Sequence, residues 1–275
     1  MQFNSQGAEN NSPAMGALLI GHGTRDAEGV SEFYSTVSQV SIARPDIAVE
    51  PCFLEIAEPT IASAVSRLVE RGVEQIVVTP LLLFAAGHAK RDVPAAVADA
   101  LLSYPDIVWR QAQHLGCHVA ILEQSASRFQ QALANRPAIP VERTALLFVG
   151  RGSHDQEATS EMHEFAALSP QSALVDTVYV AFVAMAQPSL EEILEQIAEN
   201  RYERVVVQPH LLFDGLLLGK IREIVAESAR RHPLSDWVVT GHLGSTAAVA
   251  RAAAERMDAA VSRVGKWLPR SACQI

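Results

Sequence analysis

Cysteine is scarce in this sequence. The 275 residues include three cysteines, Cys52, Cys117 and Cys273, and no two of them form a C-x-x-C pair. Such wide spacings argue against a disulfide framework, a zinc finger or an iron–sulfur site. A reducing cytoplasm is therefore the expected location.

Long apolar runs and an excess of positive charge are also absent. The longest apolar stretches, such as residues 76–86, are about half as long as a bilayer crossing requires. Residues 1–14 lack the basic start and apolar core of a secretion signal, so a disordered tail is expected there. The formal net charge of −9 disfavours nucleic acid as a general partner. We therefore expect a soluble globular protein without a membrane or nucleic-acid partner.

The sequence contains an internal repeat. A shift of 129 residues aligns three separated blocks without a gap. Residues 21–26 (GHGTRD) match GRGSHD, residues 53–61 (FLEIAEPTI) match FVAMAQPSL, and residues 73–84 (VEQIVVTPLLLF) match YERVVVQPHLLF. Three matches at one offset indicate a duplication. The boundary between the copies is expected near residues 135–143, where two prolines interrupt the pattern.

Apolar strands alternate with helical segments in both copies. In the first copy, strands are predicted over residues 17–20, 47–54, 75–83 and 107–111. The alternation predicts an α/β fold in which each copy has a parallel sheet covered by helices on both faces. We expect a tail over residues 1–14, an N-terminal domain with the active site over 15–136, a degenerate repeat over 141–265 and a tail over 266–275.

Polar side chains follow three predicted strands of the first copy. His22 follows the first strand, Glu55 the second and His88 the third. Ligands of open α/β sheets bind beyond the carboxyl ends of the strands, so these side chains are expected to meet in one cleft. Two imidazoles and a carboxylate suit Fe²⁺, Co²⁺, Ni²⁺ or Zn²⁺. Imidazole also accepts or relays protons near neutral pH.

The second copy lacks all three of these side chains. At the same offset the corresponding residues are Arg151, Ala184 and Leu217, although the glycines and prolines around them are retained. The missing side chains are therefore not needed for the fold, and a site kept in one half is predicted. By contrast, His114 and His242 recur in both copies, which favours a shared structural role.

The sequence resembles the two-domain sirohydrochlorin chelatases, which are class II chelatases of tetrapyrrole biosynthesis. The resemblance is carried by IGHGTRD, CFLEIAEPTI and TPLLLFAAGHAKRDVP and extends over most of the chain. It implies two similar α/β domains that face each other across a cleft. It also implies ATP-independent insertion of a divalent metal ion into sirohydrochlorin, in cobalamin or sirohaem biosynthesis. Co²⁺ or Fe²⁺ is the expected metal, Ni²⁺ is a further candidate, and no organic cofactor is expected.

The resemblance also implies roles for individual residues. The family's catalytic and metal-binding roles fall on His22, Glu55 and His88. Basic side chains near the loops are expected to bind the carboxylates of sirohydrochlorin, and the candidates are Arg25, Lys90, Arg91 and Arg151. A monomer is expected, because the duplication already supplies the two domains that single-domain relatives bring together as a dimer.

Two other functions fit a histidine in a strand-end loop. Histidine phosphatases use such a loop, but their motif begins Arg-His-Gly, whereas Gly21 precedes His22 here. A phosphatase would hydrolyse a phosphate ester without added metal. A non-catalytic carrier would bind metal or tetrapyrrole but would not turn over more than one metal ion per protein.

Overall fold

The structure is a computed structural model that describes residues 14–84, 87–262 and 267. For His88 and Ala89 the backbone alone is described. The predicted tails therefore lie outside the described residues, apart from residues 14 and 267. None of the helices in the described part of the chain is long and apolar enough to cross a membrane.

Strands and helices alternate along both copies, as the sequence predicts. Strands β1 to β4 span Met15–Gly21, Ala48–Phe53, Gln75–Pro80 and Val108–Gln111. Helices α1 to α4 span Ala27–Ala43, Ile61–Glu70, Val93–Ala100 and Val119–Leu133. In the second copy, strands β5 to β8 span Thr144–Gly150, Thr177–Phe182, Arg204–Pro209 and Asp236–Val239. Helices α5 to α8 span Gln156–Leu168, Leu190–Glu199, Leu216–Arg231 and Ala247–Ser262.

Local sequence fixes the ends of several helices. Thr60 and Ser189 precede α2 and α6, and each side chain accepts a hydrogen bond from the backbone N–H three residues further on, at 3.2 Å. Helix α2 begins at Ile61, so Pro59 lies just before the cap. Its carboxyl end is followed by Gly72, whose φ of 77° suits glycine.

Each copy forms a four-stranded parallel sheet. The strand orders are β2-β1-β3-β4 and β6-β5-β7-β8. The registers repeat as well, since Ile20 lies opposite Pro80 and its counterpart Val149 lies opposite Pro209. The central strands β1 and β5 are apolar because both sheet faces are covered. These observations confirm the predicted α/β fold.

Four helices lie between the two sheets. Leu19 on β1 and Phe148 on β5 point into a shared core that also contains side chains of α1, α4, α5 and α8. Leu18 and Leu147, the neighbouring strand residues, point the opposite way because side chains alternate along a strand. They contribute to two outer cores, one under α2 and α3 and the other under α6 and α7.

The last helix of each copy packs against the sheet of the other copy. Helix α8 contacts β3 and β4, and the Arg110 guanidinium on β4 donates a hydrogen bond to the carbonyl of Ala260 at 3.2 Å. In return, Gln208 on β7 donates to the carbonyl oxygen and hydroxyl of Ser125 on α4, at 2.6 and 2.9 Å. The predicted domain boundary falls between α4 and β5, whereas the packing crosses it.

Two histidine–glutamate pairs join the copies. Nε2 of His114, after β4, lies 3.0 Å from a carboxylate oxygen of Glu161 on α5. Nε2 of His242, after β8, lies 2.9 Å from a carboxylate oxygen of Glu32 on α1. Each histidine therefore contacts a glutamate of the other copy, which confirms the shared structural role predicted for this repeated residue.

Because the copies share one core, we expect them to unfold together. Trp109 reports on the first sheet and Trp237 on the second, so phenylalanine substitutions at the other tryptophans give two single-tryptophan proteins. Their fluorescence should change at the same urea concentration. Met257→Ala removes a fully buried side chain of α8 and should lower the free energy of unfolding seen by both probes by about 2–5 kcal/mol. Separate midpoints, or a shift confined to Trp237, would contradict a single cooperative unit.

Candidate functional site

Two similar glycine loops follow β1 and β5. Asp26 in the first loop caps α1 by accepting hydrogen bonds from the backbone N–H groups of Glu28 and Gly29, each at 3.0 Å. Asp155 in the second loop caps α5 by accepting from the N–H of Glu157, also at 3.0 Å. The repeated aspartate therefore ends each loop in the same way.

Backbone contacts hold each glycine loop against the end of the neighbouring edge strand. The N–H of Glu55 donates to the carbonyl of His22, and the N–H of Ala184 donates to the carbonyl of Arg151, both at 3.0 Å. Gly23 has a φ of 102°, and a Cβ there would lie 1.8 Å from the carbonyl oxygen of Glu55. The first loop therefore requires glycine at this position.

A cleft of about 700 Å³ lies at the carboxyl ends of the strands, between the two copies. His22 and the segment after β3 line it from the first copy, and the loops after β5, β6 and β7 line it from the second. Its apolar lining consists of Leu81, Leu82, Leu83, Phe84, Ala158, Phe182, Met185, Leu211 and Leu212. Such a surface suits a large, flat and mainly apolar ligand with a polar rim.

His22 lies half-buried on the wall of this cleft. Its Nδ1 is 3.4 Å from the carbonyl oxygen of Gly23, and its Nε2 is 3.5 Å from Nη1 of Arg151. This pattern assigns the proton to Nδ1, which donates to the carbonyl, and leaves Nε2 as the acceptor. A backbone carbonyl on the second nitrogen is the usual arrangement for a metal-binding histidine.

The other two predicted ligands have different positions. Glu55 follows β2, an edge strand, and its side chain is exposed to solvent and does not line the cleft in the described structure. His88 begins a turn of π-helix over His88–Asp92, and its side chain lies outside the described residues. Its neighbours Gly87 and Arg91 do line the cleft. Among the described side chains, no group of three His, Cys, Asp or Glu residues could hold a metal ion.

The four predicted carboxylate-binding residues are exposed, but they differ in position. Arg91 and Arg151 line the cleft, whereas Arg25 lies outside its lining in the described structure. Lys90 reaches across to the second copy, where its ammonium contacts Glu157 and lies 3.5 Å from Oδ2 of Asp155. The hydrogen bond to Glu157 raises the pKa of Lys90.

The sequence model of the CbiX family matches the chain twice, over residues 16–132 and 145–260. The chain belongs to the CbiX family. The double match also confirms the internal duplication, because each copy matches the family separately.

Relatives of this CbiX protein carry two different names. The sirohydrochlorin cobaltochelatase of Priestia megaterium is 32% identical over 228 residues, which are 82% of this chain and 74% of the relative. The sirohydrochlorin ferrochelatase of the same organism is 30% identical over 207 residues, which are 75% of this chain and 76% of the relative. The names of the relatives therefore include both cobalt and iron. Together with the family match, they confirm the resemblance to sirohydrochlorin chelatases.

Solved structures share the fold. SirB from Bacillus subtilis with Fe³⁺ superposes with a TM-score of 0.81 at 24% identity, covering 90% of this chain and 96% of SirB. The sirohydrochlorin chelatase SirB from Bacillus subtilis subspecies spizizenii in complex with cobalt gives a TM-score of 0.77 at 25% identity, covering 92% and 98%. Two parallel sheets flanked by helices are thus common to this chain and SirB.

Two histidines of the second copy also line the cleft of this CbiX protein, and neither was among the residues predicted for the site. His154 is exposed on the second glycine loop, while His210 is fully buried at the end of β7. The His210 ring lies between Phe84 and Phe165, with centroids 5.0 and 4.1 Å away. The sequence signal was the histidine in QPHLLF, which stands where the first copy has Leu81.

Burial makes His210 a source of pH-dependent stability. Burial lowers the pKa of His210 from 6.5 to about 3. Between these two pH values the imidazole is protonated in the unfolded chain and neutral in the folded chain. The free energy of unfolding should therefore fall by about 1.4 kcal/mol per pH unit as the pH drops below about 6.5. His210→Leu, which copies Leu81, should flatten this slope in urea unfolding at pH 7, 6 and 5. An unchanged slope would contradict the prediction.

The close approach of the Glu55 carbonyl oxygen to Gly23 predicts the effect of adding a side chain there. Gly23→Ala should lower the free energy of unfolding by more than about 1 kcal/mol, because the methyl group meets the Glu55 carbonyl at a φ that disfavours side chains. Gly219→Ala is the matched control. Gly219 lies in α7 with nothing within 4 Å of an added Cβ, so alanine should stabilise by up to about 1 kcal/mol. Thermal unfolding measures both, and equal effects of the two changes would contradict the account of the loop.

Proposed function

We propose that the protein inserts a divalent metal ion into sirohydrochlorin, in cobalamin or sirohaem biosynthesis. The observation that carries the proposal is His22, whose imidazole lies on the wall of a cleft lined by strand-end loops of both copies. Membership of the CbiX family supports it, as do the cobaltochelatase and ferrochelatase names of the relatives.

Insertion exchanges two pyrrole N–H protons for one metal ion, so the site must deliver the ion and accept protons. His22 presents the ion through Nε2, while the Gly23 carbonyl holds the proton on Nδ1. His88 supplies the second imidazole from the turn after β3. One of the two imidazoles accepts the pyrrole protons and passes them on to solvent, and Glu55 is the third ligand or a proton relay. Few ligands and an open coordination position keep the ion exchangeable.

The cleft supplies complementary surfaces for the macrocycle. Its leucine and phenylalanine side chains cover the apolar ring, and the guanidinium groups of Arg91 and Arg151 pair with peripheral carboxylates. Arg25 and Lys90 extend this recognition beyond the lining. For Lys90, a substrate carboxylate would replace Asp155 and Glu157 as the partner of the ammonium group.

Co²⁺ and Fe²⁺ are the proposed metal substrates, and Ni²⁺ is a further one that the same donor atoms would accept. We propose that the protein acts without an organic cofactor, as a cytoplasmic monomer. The packing of α4 and α8 on the sheet of the opposite copy supports a monomer, because one chain already holds both walls of the cleft.

The proposal is tested by the visible spectrum of sirohydrochlorin, mixed with Co²⁺ or Fe²⁺ and the purified protein. His22→Ala and His88→Ala should each lower the rate of insertion by at least about 100-fold with the fold retained. His232→Ala, at the end of α7, is the control and should retain the rate. Near-wild-type rates in both variants would refute the assignment.

Two further measurements separate the alternatives. Turnover of more than one metal ion per protein excludes a carrier. Hydrolysis of a phosphate ester without added metal, in a protein that leaves sirohydrochlorin unchanged, would identify a phosphatase.

A further inference from the structure

His22 and Arg151 occupy equivalent positions in the two copies, and their side chains contact each other. The residues are 129 positions apart, which is the offset of the repeat, and Nη1 of Arg151 lies 3.5 Å from Nε2 of His22. The contact therefore brings the equivalent positions of the two copies together. If both loops carried histidine, two imidazoles would therefore face each other here.

Arginine in place of the second imidazole changes what this contact can do. Nε2 of His22 is the acceptor in the pair, so its lone pair is directed at the guanidinium. A metal ion needs that same lone pair. Guanidinium carries five donors and no acceptor, so it cannot become a ligand itself, and its charge repels a divalent cation nearby.

We propose that Arg151 is a metal-release residue, which donates a hydrogen bond to Nε2 of His22, weakens the binding of the metal ion there and so favours its transfer to the macrocycle. It is a positioning residue, since it acts on the ion through His22. The inference rests on the proposed function, because it assumes that His22 presents the metal.

Carboxylate binding by Arg151, expected from the sequence, makes a different prediction. A guanidinium that contacts only the macrocycle affects KM for sirohydrochlorin and leaves the binding of free metal unchanged. Metal affinity measured without tetrapyrrole therefore separates the two roles.

The test is a calorimetric titration of the whole protein with Co²⁺ alone, which gives the Kd for the metal ion. Arg151→Ala should tighten Co²⁺ binding by about tenfold, because both the competing donor and the repelling charge are removed. Arg151→His should tighten it further by restoring a facing imidazole. Arg222→Ala removes the same charge from an exposed position on α7, outside the cleft lining of the described structure. It is the matched control, with a Kd that should stay within about twofold of wild type.

Transfer is measured next, by mixing Co²⁺-loaded protein with excess sirohydrochlorin in a single turnover. Arg151→Ala and Arg151→His should slow the transfer step by about the factor by which they tighten binding. In a His22→Ala background, Arg151→Ala should change the Kd by clearly less than in the wild type, since the lone pair for which Arg151 competes is gone and only the effect of its charge remains.

Three results would overturn the proposal. If the Kd for Co²⁺ is unchanged in Arg151→Ala, Arg151 does not act on the metal ion, and binding of substrate carboxylates is the role that remains for it. Equal tightening in Arg222→Ala would reduce the effect to general charge, and tightening of the same size with and without His22 would exclude competition for its lone pair. Failure of the proposed function is recognised separately, because His22→Ala would then bind Co²⁺ as the wild type does and the wild type would not metallate sirohydrochlorin.

Discussion

The burial of four helices between two sheets is the constraint on which the site depends. Helices α1, α4, α5 and α8 fill this layer. Helix α8 packs against the sheet of the first copy, and α4 is hydrogen-bonded to β7 in the sheet of the second. Apolar burial is non-directional, but here it connects two sheets whose carboxyl edges both open toward the cleft. The two glycine loops are therefore held in contact by the core itself, and the distance between them does not depend on a flexible linker.

Within this symmetric scaffold, the chemistry is asymmetric. His22 has a polar environment and a carbonyl that fixes its tautomer, whereas its counterpart Arg151 carries a permanent charge. At the end of β7, buried His210 stands where the first copy has Leu81. Each difference places an ionisable or cationic group on the second wall of the cleft, so one wall presents a ligand and the other shapes the electrostatics around it.

The sequence predicted the repeat, the strands and the loop that carries His22, because these features depend on local periodicity and on the offset. The packing of α4 and α8 on the sheet of the opposite copy could not be predicted, since an amphipathic helix shows that one face is buried but not which sheet covers it. Glu55 shows the same limit. Its place after a strand was evident, but the position of β2 at the sheet edge, which exposes the side chain, depends on strand order. The partners of Lys90 are likewise distant in sequence, so its role in joining the copies had no local signal.

The hydrogen bonds from Glu55 to His22 and from Ala184 to Arg151 use only backbone atoms. A loop held in this way keeps its path whatever side chain stands at its tip, provided that the glycine beside it is kept. The backbone of the loop thus accepts either histidine or arginine, although imidazole can bind a metal ion and guanidinium repels one. The second loop is consequently a position at which a duplicated protein can acquire new chemistry at little cost to its folding, and at which a designer can vary one cleft wall while leaving the other intact.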